Sequence, residues 1–525
     1  MESGEDRPAT QYLLALLLAV VAGLAGTVLY FNDSHVFLYF GDAAAHIVRA
    51  RQFFDSQRPG IDNLGTVWLP LPHLLLIPFI AIDALFYTGI AGPVVGIPFL
   101  VGTGLLLSSI VRRLTGSRGI AFLSACLFGL NPNIVYMVLT PMNEPALFFF
   151  IALGGYAFLR WLDTEAERWL FASAASIALA SLCRYEAWLL APFLPLVAAG
   201  KGLSRVKGGI RPAAMLLAAA LSGAGVALWL LWNLIEYGDA LKFARWTYSV
   251  APTAVRDYLQ QRPLDVPLLF GRAILTIFGP VVLIFAAAAV IPLRHLSAQR
   301  RSLLVLLYFK LPVLFALGAV LAGFVQVDEW WWNWRYVLTI GLLLPVAAGI
   351  GLSEFFRLVP SVVARAVAVV ALLAMPLVQL TIPSVGVPTF YDASKGFYDR
   401  TYEATDLGEE LRCVYTGGGA ALLTGYSQAQ RIMLSSRLPL KDFHIIYDPR
   451  EKDLYGPLWE SDRYLVIGKR SMPESKGYVD YWLSRREVLA DHYDIRLENE
   501  YFLLLERKQT GTSDWNSRMR RDGID

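Results

Sequence analysis

The sequence predicts an α-helical polytopic membrane protein of about 11 spans, followed by a small α/β domain outside the membrane. The chain is 56% apolar and only 17% charged, with a mean hydropathy of +0.48, which excludes an ordinary soluble protein. Apolar runs of roughly the 20 residues that cross a bilayer recur through the first 382 positions. The net charge of +3 gives no argument for nucleic acid, and we predict no such partner.

The first apolar run is interpreted as a retained span. The residues before it, ESGEDRPAT, are acidic rather than basic, and the small-residue cleavage site of a removed signal peptide does not follow. The predicted spans are 11–31, 93–111, 119–138, 145–162, 168–183, 186–200, 213–235, 266–291, 302–325, 336–353 and 360–382.

The apolar segment 69–87 makes a poor straight span, because it contains three prolines together with His73 and Asp83. If it does not cross, the connections richest in Lys and Arg fall on one side, as the positive-inside rule expects of the cytoplasmic face. We therefore predict two helices that lie on or dip into the outer face. The N-terminus is then cytoplasmic, and the first long loop, residues 32–92, is extracytoplasmic.

From about residue 383 the composition becomes mixed. The segments ALLTGY, FHIIYD, YLVIGK and YFLLLER are typical of strands, and TDLGEELR, SQAQRIMLSSR and VDYWLSRREVLA are typical of helices. This alternation predicts an extracytoplasmic α/β domain over 383–507, after a transmembrane domain over 1–382 and before a disordered tail over 508–525. Its single cysteine, Cys413, excludes an internal disulfide. TGGGA at 416–420 lacks the strand-then-helix setting of a phosphate loop.

The stretch after Gly41 is a good helix former and carries Asp42, His46 and Arg49 at i, i+4 and i+7, on one helix face. In one interpretation Asp42 caps the helix and the charges form a solvated face. In the other, Asp42 is a general base that meets an acceptor hydroxyl from water while a donor stays in lipid. Its position directly after the first span favours the second interpretation.

Two further connections on the same predicted side carry charges. In TPMNEP, Asn143 can cap a helix with Glu144 in its first turn, or Glu144 can have a function at the mouth of two helices. In CRYEAW, Arg184 and Glu186 can form a structural ion pair, or Arg184 can contact a phosphate. Both pairs of alternatives stay open.

The segment EWWWNWRY places four tryptophans beside Arg335 and Tyr336: Trp330, Trp331, Trp332 and Trp334. An aromatic belt is the default at a membrane interface, but aromatic faces also stack on sugars, and Arg335 can anchor a lipid phosphate. We predict a belt and a site together. His46, His73 and the carboxylates show no recognised metal-ligand spacing, so no cofactor is predicted with certainty and a divalent metal is left open.

Taken together, these motifs resemble the polytopic GT-C glycosyltransferases of the family 39 type, which include the protein O-mannosyltransferases and the lipid A aminoarabinose transferases. The matching features are GDAAAHIVRAR after the first span, GTVWLPLPHLL later in that loop, the acid of TPMNEP and the extracytoplasmic C-terminal domain. The resemblance covers the layout of residues 11–382. It departs from the mannosyltransferases in having Ala43 after Asp42, and in LPLP near the end of the loop, where many relatives place an acid.

The resemblance implies that an acceptor hydroxyl attacks the anomeric carbon of a polyprenyl-phosphate sugar with inversion, and that Asp42 is the catalytic base. Arg184 and Arg335 are expected to contact the phosphate. The remaining expected substrate-binding residues are His46, Trp68, His73, Glu144, Glu186, Trp332 and Tyr336.

The acceptor class (lipid, glycan or protein) is left open by the sequence, and so is the sugar. The expected location is the plasma (inner) membrane, among membrane lipids, with the C-terminal domain covering the site. A transporter or flippase of lipid-linked saccharides is the main alternative, and it predicts polar residues spread through mid-membrane helices and repeat symmetry. A receptor with a ligand-binding C-terminal domain is the third, and it leaves Asp42 dispensable.

Overall fold

A computed structural model describes residues 8–65, 67–203, 212–245, 265–293, 299–322, 334–381, 389–399, 401–445, 462–469, 483 and 486–508. The chain divides into two compact units. The first contains Met1–Ala50 with Ile61–Tyr398, and the second contains Arg51–Gly60 with Asp399–Asp525.

The regular elements in the described residues of the first unit are all helices. Its first nine helices are α1 Pro8–Asn32, α2 Gly41–Arg51, α3 Leu71–Ile80, α4 Asp83–Tyr87, α5 Ala91–Thr115, α6 Arg118–Gly129, α7 Pro132–Leu139, α8 Glu144–Thr164 and α9 Glu167–Ser181. The next nine are α10 Leu190–Leu203, α11 Pro212–Tyr237, α12 Asp265–Phe278, α13 Pro280–Ala288, α14 Val290–Leu293, α15 Arg300–Leu321, α16 Ile340–Leu358, α17 Val362–Thr381 and α18 Phe390–Asp399. Short 3-10 helices lie at Val36–Leu38, Ile61–Leu64, Tyr185–Leu189 and Trp334–Val337.

Seven helices are long and apolar enough to cross a membrane, judged by length and composition. They are Ala9–Asn32, Ala91–Thr115, Glu144–Thr164, Pro212–Tyr237, Arg300–Leu321, Arg335–Leu358 and Val362–Gln379. Two bent pairs, α6 with α7 at 58° and α12 with Pro280–Pro292 at 105°, raise the number among the described residues to nine if each pair is one span. The protein is therefore a multi-pass membrane protein, as predicted.

Some predicted spans have a different shape. The segments 168–183 and 186–200 contain helices of 15 and 14 residues, which fall short of the roughly 20 residues that cross a bilayer. The segment 69–87 forms the two short helices α3 and α4, as predicted, because Ile82 is extended between them. The total of about 11 spans remains a prediction.

The bend between α6 and α7 is held by Asn131. Its side chain accepts hydrogen bonds from the backbone N–H of Asn133 and of Ile134, which caps α7, and Pro132 occupies the first turn. The Asn131 amide also donates to the Ile277 carbonyl at 2.7 Å, which joins the bend to α12.

Close backbone packing positions the connection that leads to Glu144. A Cβ at Gly96 would lie 1.9 Å from the Val138 carbonyl oxygen, and one at Gly92 would lie 2.7 Å from the Pro141 nitrogen. Only glycine allows backbones to approach this closely. Helix α5 therefore packs directly against residues 138–141, and α8 begins three residues later at Glu144.

The second unit contains a five-stranded sheet in the order β2-β1-β3-β5-β4. The strands are β1 Ala420–Leu423, β2 Phe443–Ile445, β3 Tyr464–Gly468, β4 Tyr493–Glu498 and β5 Phe502–Arg507, and the helices are α19 Glu403–Val414, α20 Tyr426–Ser436 and α21 Arg486–His492. A 3-10 helix lies at Leu440–Asp442. β1 pairs in parallel with β2 and β3, while β5 is antiparallel to β3 and β4.

All four predicted strands are present, but β4 was not predicted. β4 is an edge strand whose residues are mostly exposed and charged, so it lacks the apolar signal of a buried strand. The TGGGA segment precedes β1 instead of linking a strand to a helix, so it lacks the setting of a phosphate loop, as predicted. The first-loop residues Arg51–Gly60 also belong to this unit, where the Asp55 carboxylate accepts from the Lys441 backbone N–H at 3.2 Å.

Candidate active site

Helix α2 places Asp42 in its first turn, because the N–H groups of Ala43 and Ala44 both bond to the Phe40 carbonyl. Asp42 is therefore inside the helix rather than its cap. Its Oδ2 lies 2.7 Å from Nη2 of Arg335, and its side chain is 32% exposed, whereas that of Arg335 is 6% exposed. The carboxylate predicted as the base thus contacts a buried cation from a connection nearly 300 positions away in the chain.

Glu144, Arg184 and Glu186 form a buried ion network. Arg184 donates from Nη1 to Glu144 Oε1 at 2.8 Å, and from Nη2 and Nε to Glu186 Oε1 at 2.7 and 2.9 Å. The side chains of Glu144 and Glu186 are 0% and 3% exposed. The structural ion pair considered for Arg184 is therefore present. Asn143 stands at the cap position of α8 but makes no capping bond with its side chain.

Tyr336 joins this network to the Asp42–Arg335 pair. The Arg184 and Arg335 guanidinium carbons lie 4.8 and 5.3 Å from the centre of its ring, within the range of cation–π attraction. Phe40 approaches Arg335 as well, at 5.5 Å from its ring centre. Arg335 Nε lies 4.0 Å from Glu144 Oε1. Two arginines and three carboxylates thus form one cluster around a tyrosine ring.

His46, His73 and Trp68 form an aromatic group in the same unit. Nδ1 of His46 lies 2.9 Å from Nε2 of His73, and the His46 ring centre is 4.4 Å from that of Trp68. Both histidines are fully buried. Burial, with the nearby Arg49 charge, lowers the pKa of His73 to about 3. Burial, His73 and the arginines hold the pKa of His46 well below its usual range. Both rings are therefore neutral near pH 7, which excludes the solvated charged face for His46.

Several buried polar atoms of the cluster have no hydrogen-bond partner among the residues described by the structure. They are Glu144 Oε2, Arg335 Nε, Arg335 Nη1 and His46 Nε2. Buried polar groups in native proteins are nearly always paired, so unpaired ones need an explanation such as an absent ligand. The cluster thus combines unused donors on Arg335 with an unused acceptor on Glu144.

Comparisons with known proteins show what this chain is similar to. Residues 89–232 match the family model described as dolichyl-phosphate-mannose-protein mannosyltransferase. The crystal structure of ArnT from Cupriavidus metallidurans bound to undecaprenyl phosphate has 12% sequence identity and a TM-score of 0.54, over 94% of this chain and 99% of that chain. The chain has the GT-C fold. The apo structure of the same ArnT gives 13% identity and a TM-score of 0.51, over 93% and 97% of the two chains. A comparison with curated protein sequences gives no match.

The GT-C resemblance inferred from the sequence is therefore confirmed at the level of the fold. Of the ten predicted site residues, nine are described and lie in the cluster or in the histidine–tryptophan group. Trp332 lies outside the described residues, as do Trp330 and Trp331. What each of these residues does stays a prediction.

Two aromatic residues of the site escaped the sequence analysis. Phe40 packs on Arg335, and Tyr185 donates from its hydroxyl to the Val67 carbonyl at 2.6 Å while accepting from Trp229 Nε1 at 3.2 Å. These bonds fix the backbone next to Trp68. Tyr185 stands between Arg184 and Glu186 in the sequence, and this position in a charged connection could have marked it as a candidate site residue.

A metal site of the usual kind does not fit the described part of the chain. No three His, Cys, Asp or Glu side chains within it come close enough together to hold an ion. The three carboxylates of the cluster instead contact arginines.

Proposed function

We propose that this GT-C protein transfers a sugar from a polyprenyl-phosphate donor to an acceptor hydroxyl, with inversion at the anomeric carbon. Its fold and the mannosyltransferase match over residues 89–232 support glycosyl transfer from a lipid-linked donor. The ArnT neighbour, whose structure contains undecaprenyl phosphate, supports a polyprenyl phosphate as the lipid.

The observation that carries the proposal is the pairing of a partly exposed carboxylate with a buried arginine whose Nε and Nη1 have no hydrogen-bond partner among the described residues. Asp42 accepts the proton of the acceptor hydroxyl, whose oxygen forms a bond to the anomeric carbon. The bond between that carbon and the phosphate oxygen breaks, and the electron pair leaves with the phosphate. Arg335, with Nε and Nη1 unpaired among the described residues, meets the developing charge. A single displacement of this kind inverts the anomeric centre.

Arg184 has a different role from the phosphate contact predicted for it. Three of its N–H groups already donate to Glu144 and Glu186, so we assign it to positioning. It holds Glu144 so that Oε2, which has no partner among the described residues, can accept a hydrogen bond from a sugar hydroxyl. His46, His73, Trp68, Glu186 and Tyr336 complete the pocket in this proposal.

The reaction is assigned to the extracytoplasmic face of the plasma membrane, on the strength of the Lys and Arg distribution among the connections. The second unit is assigned the choice of acceptor, which is a lipid, a glycan or a protein. A transporter or flippase would expose polar groups along a path through the helices, whereas the described charges of the site converge on one cluster.

The test is release of polyprenyl phosphate from short-chain polyprenyl-phosphate sugars by the purified protein. Asp42→Asn should lower turnover by at least about 100-fold, because general-base catalysis contributes roughly 10²–10⁴-fold. The matched control is Asp83→Asn, which removes an exposed carboxylate at the start of α4 in the same loop, and its turnover should equal that of the wild type. Equal turnover in Asp42→Asn would refute the base, and no turnover with any donor would favour the transporter.

A further inference from the structure

The Arg335 guanidinium has a limited set of N–H donors, and its Nη2 already contacts the Asp42 carboxylate. The guanidinium is planar, with five N–H bonds on Nε, Nη1 and Nη2. It can grip an oxyanion with two parallel bonds along one of two edges, either Nε with Nη2 or Nη1 with Nη2. Each edge uses a different one of the two N–H bonds of Nη2, so an anion on either edge shares this nitrogen with Asp42, whose Oδ2 lies 2.7 Å from it.

The buried environment fixes Arg335 and leaves Asp42 able to move. Arg335 is 6% exposed and packs against the rings of Phe40 and Tyr336, whereas the Asp42 side chain is 32% exposed. An anion that engages Arg335 bidentately therefore meets a stationary guanidinium and a carboxylate that can turn toward water. Nε and Nη1 of Arg335 have no hydrogen-bond partner among the described residues, so an anion that binds them breaks no hydrogen bond there.

We infer that Asp42 and the donor phosphate compete for Arg335, so that donor binding releases Asp42 to face the acceptor. Before the donor binds, Arg335 holds the carboxylate of the base. When the phosphate takes one edge of the guanidinium, Nη2 is shared, and repulsion between the two anions turns Asp42 outward. Arg335 is thus a positioning residue for the base as well as the phosphate contact, and the donor binds before the acceptor. This inference rests on the proposed function.

The competition is measurable without turnover. The probe is a short-chain polyprenyl phosphate, and the readout is its Kd for the purified full-length protein in detergent. Asp42→Asn removes the competing charge, so it should bind the probe about tenfold more tightly than the wild type, which corresponds to about 1.4 kcal/mol. In an Arg335→Gln background, the same Asp42→Asn change should leave the Kd unaltered, because the shared cation is absent.

Asp83→Asn is the matched control. It removes one negative charge from the same loop, but Asp83 is exposed at the start of α4 and has no part in the proposed site. Its effect on the Kd should be less than about twofold if local competition for Arg335 is the cause. Equal tightening by Asp83→Asn and Asp42→Asn would overturn the inference in favour of general electrostatics.

The outcomes separate this inference from the function on which it rests. If the wild type binds polyprenyl phosphate and Asp42→Asn binds it no more tightly, the competition is refuted and the glycosyltransferase proposal stands. If the wild type binds no polyprenyl phosphate, both are refuted. Asp42→Ala serves as a second variant, and the unfolding midpoint of each variant shows whether the site is folded. A tighter Kd in both Asp42 variants supports the inference.

Discussion

Replacing Arg184 by methionine tests the ion network that positions Glu144. The substitution keeps much of the side-chain volume but removes a cation that makes three hydrogen bonds of 2.7–2.9 Å to two buried carboxylates. Breaking a buried pair by removing one partner costs about 3–5 kcal/mol, because the remaining charge is left without compensation. We expect a loss in this range, which is a large fraction of the roughly 5–15 kcal/mol that stabilises typical folded proteins.

Arg301→Met is the control for this prediction. Arg301 pairs with Asp163 at 2.7 Å, the same distance as the Arg184–Glu186 pair, but its side chain is 56% exposed. An exposed pair contributes about 0–1 kcal/mol, so this variant should unfold almost like the wild type. The measurement is denaturant unfolding of the detergent-solubilised protein, followed by tryptophan fluorescence.

A neutral version of the network provides the second comparison. In the variant Arg184→Met with Glu144→Gln and Glu186→Gln, no buried carboxylate of the network is left unpaired, and most of the lost stability should return. Similar unfolding of Arg184→Met and the wild type would refute the reasoning, since it would mean that the carboxylates are solvated or paired elsewhere.

Two further predictions concern the histidines and the helix packing. Burial lowers the pKa of His73 to about 3, below the value near 6.5 of an unfolded histidine. Between these two pH values the unfolded state therefore binds more protons than the folded state. The free energy of unfolding should fall as the pH drops below about 6.5, by up to about 1.4 kcal/mol per pH unit for this group. His73→Gln should show a shallower loss between pH 7 and pH 5 in the unfolding midpoint, and an equal slope would contradict the assignment. In α11, Gly225→Ala would place a methyl group 2.2 Å from the Ala178 carbonyl oxygen, whereas Gly223→Ala meets nothing within 4 Å. The first should lose about 1–3 kcal/mol and the second should lose nothing, as thermal unfolding can measure.

The sequence predicts the helices and most strands of this protein because their signals are local. The same is not true of the pairings in the site. Asp42, Glu144, Arg184 and Arg335 each appear in the sequence as a charge at the end of an apolar segment, which marks them individually as costly. Helix packing decides which of these charges meet. It pairs Arg184 with Glu144 across 40 positions, and Arg335 with Asp42.

The differences from the prediction also have physical causes. β4 escaped detection because Asp494 and Arg496 lie on an exposed edge, where a strand needs no apolar alternation. The predicted span 186–200 begins with the 3-10 helix Tyr185–Leu189 and continues as the short helix α10. Its apolar composition is equally compatible with a helix buried in the protein, which composition by itself does not distinguish from a span.

The two arginines of the cluster illustrate how burial can divide roles between chemically identical groups. Both lie near the ring of Tyr336 and both are almost fully buried. Arg184 faces two carboxylates, so its charge is compensated inside the protein. Arg335 contacts the partly exposed Asp42 carboxylate at 2.7 Å and lies 4.0 Å from Glu144, and its Nε and Nη1 have no hydrogen-bond partner among the described residues. A buried cation that is only partly compensated attracts an anion, which is why the phosphate contact is proposed for Arg335, next to the most exposed carboxylate of the cluster.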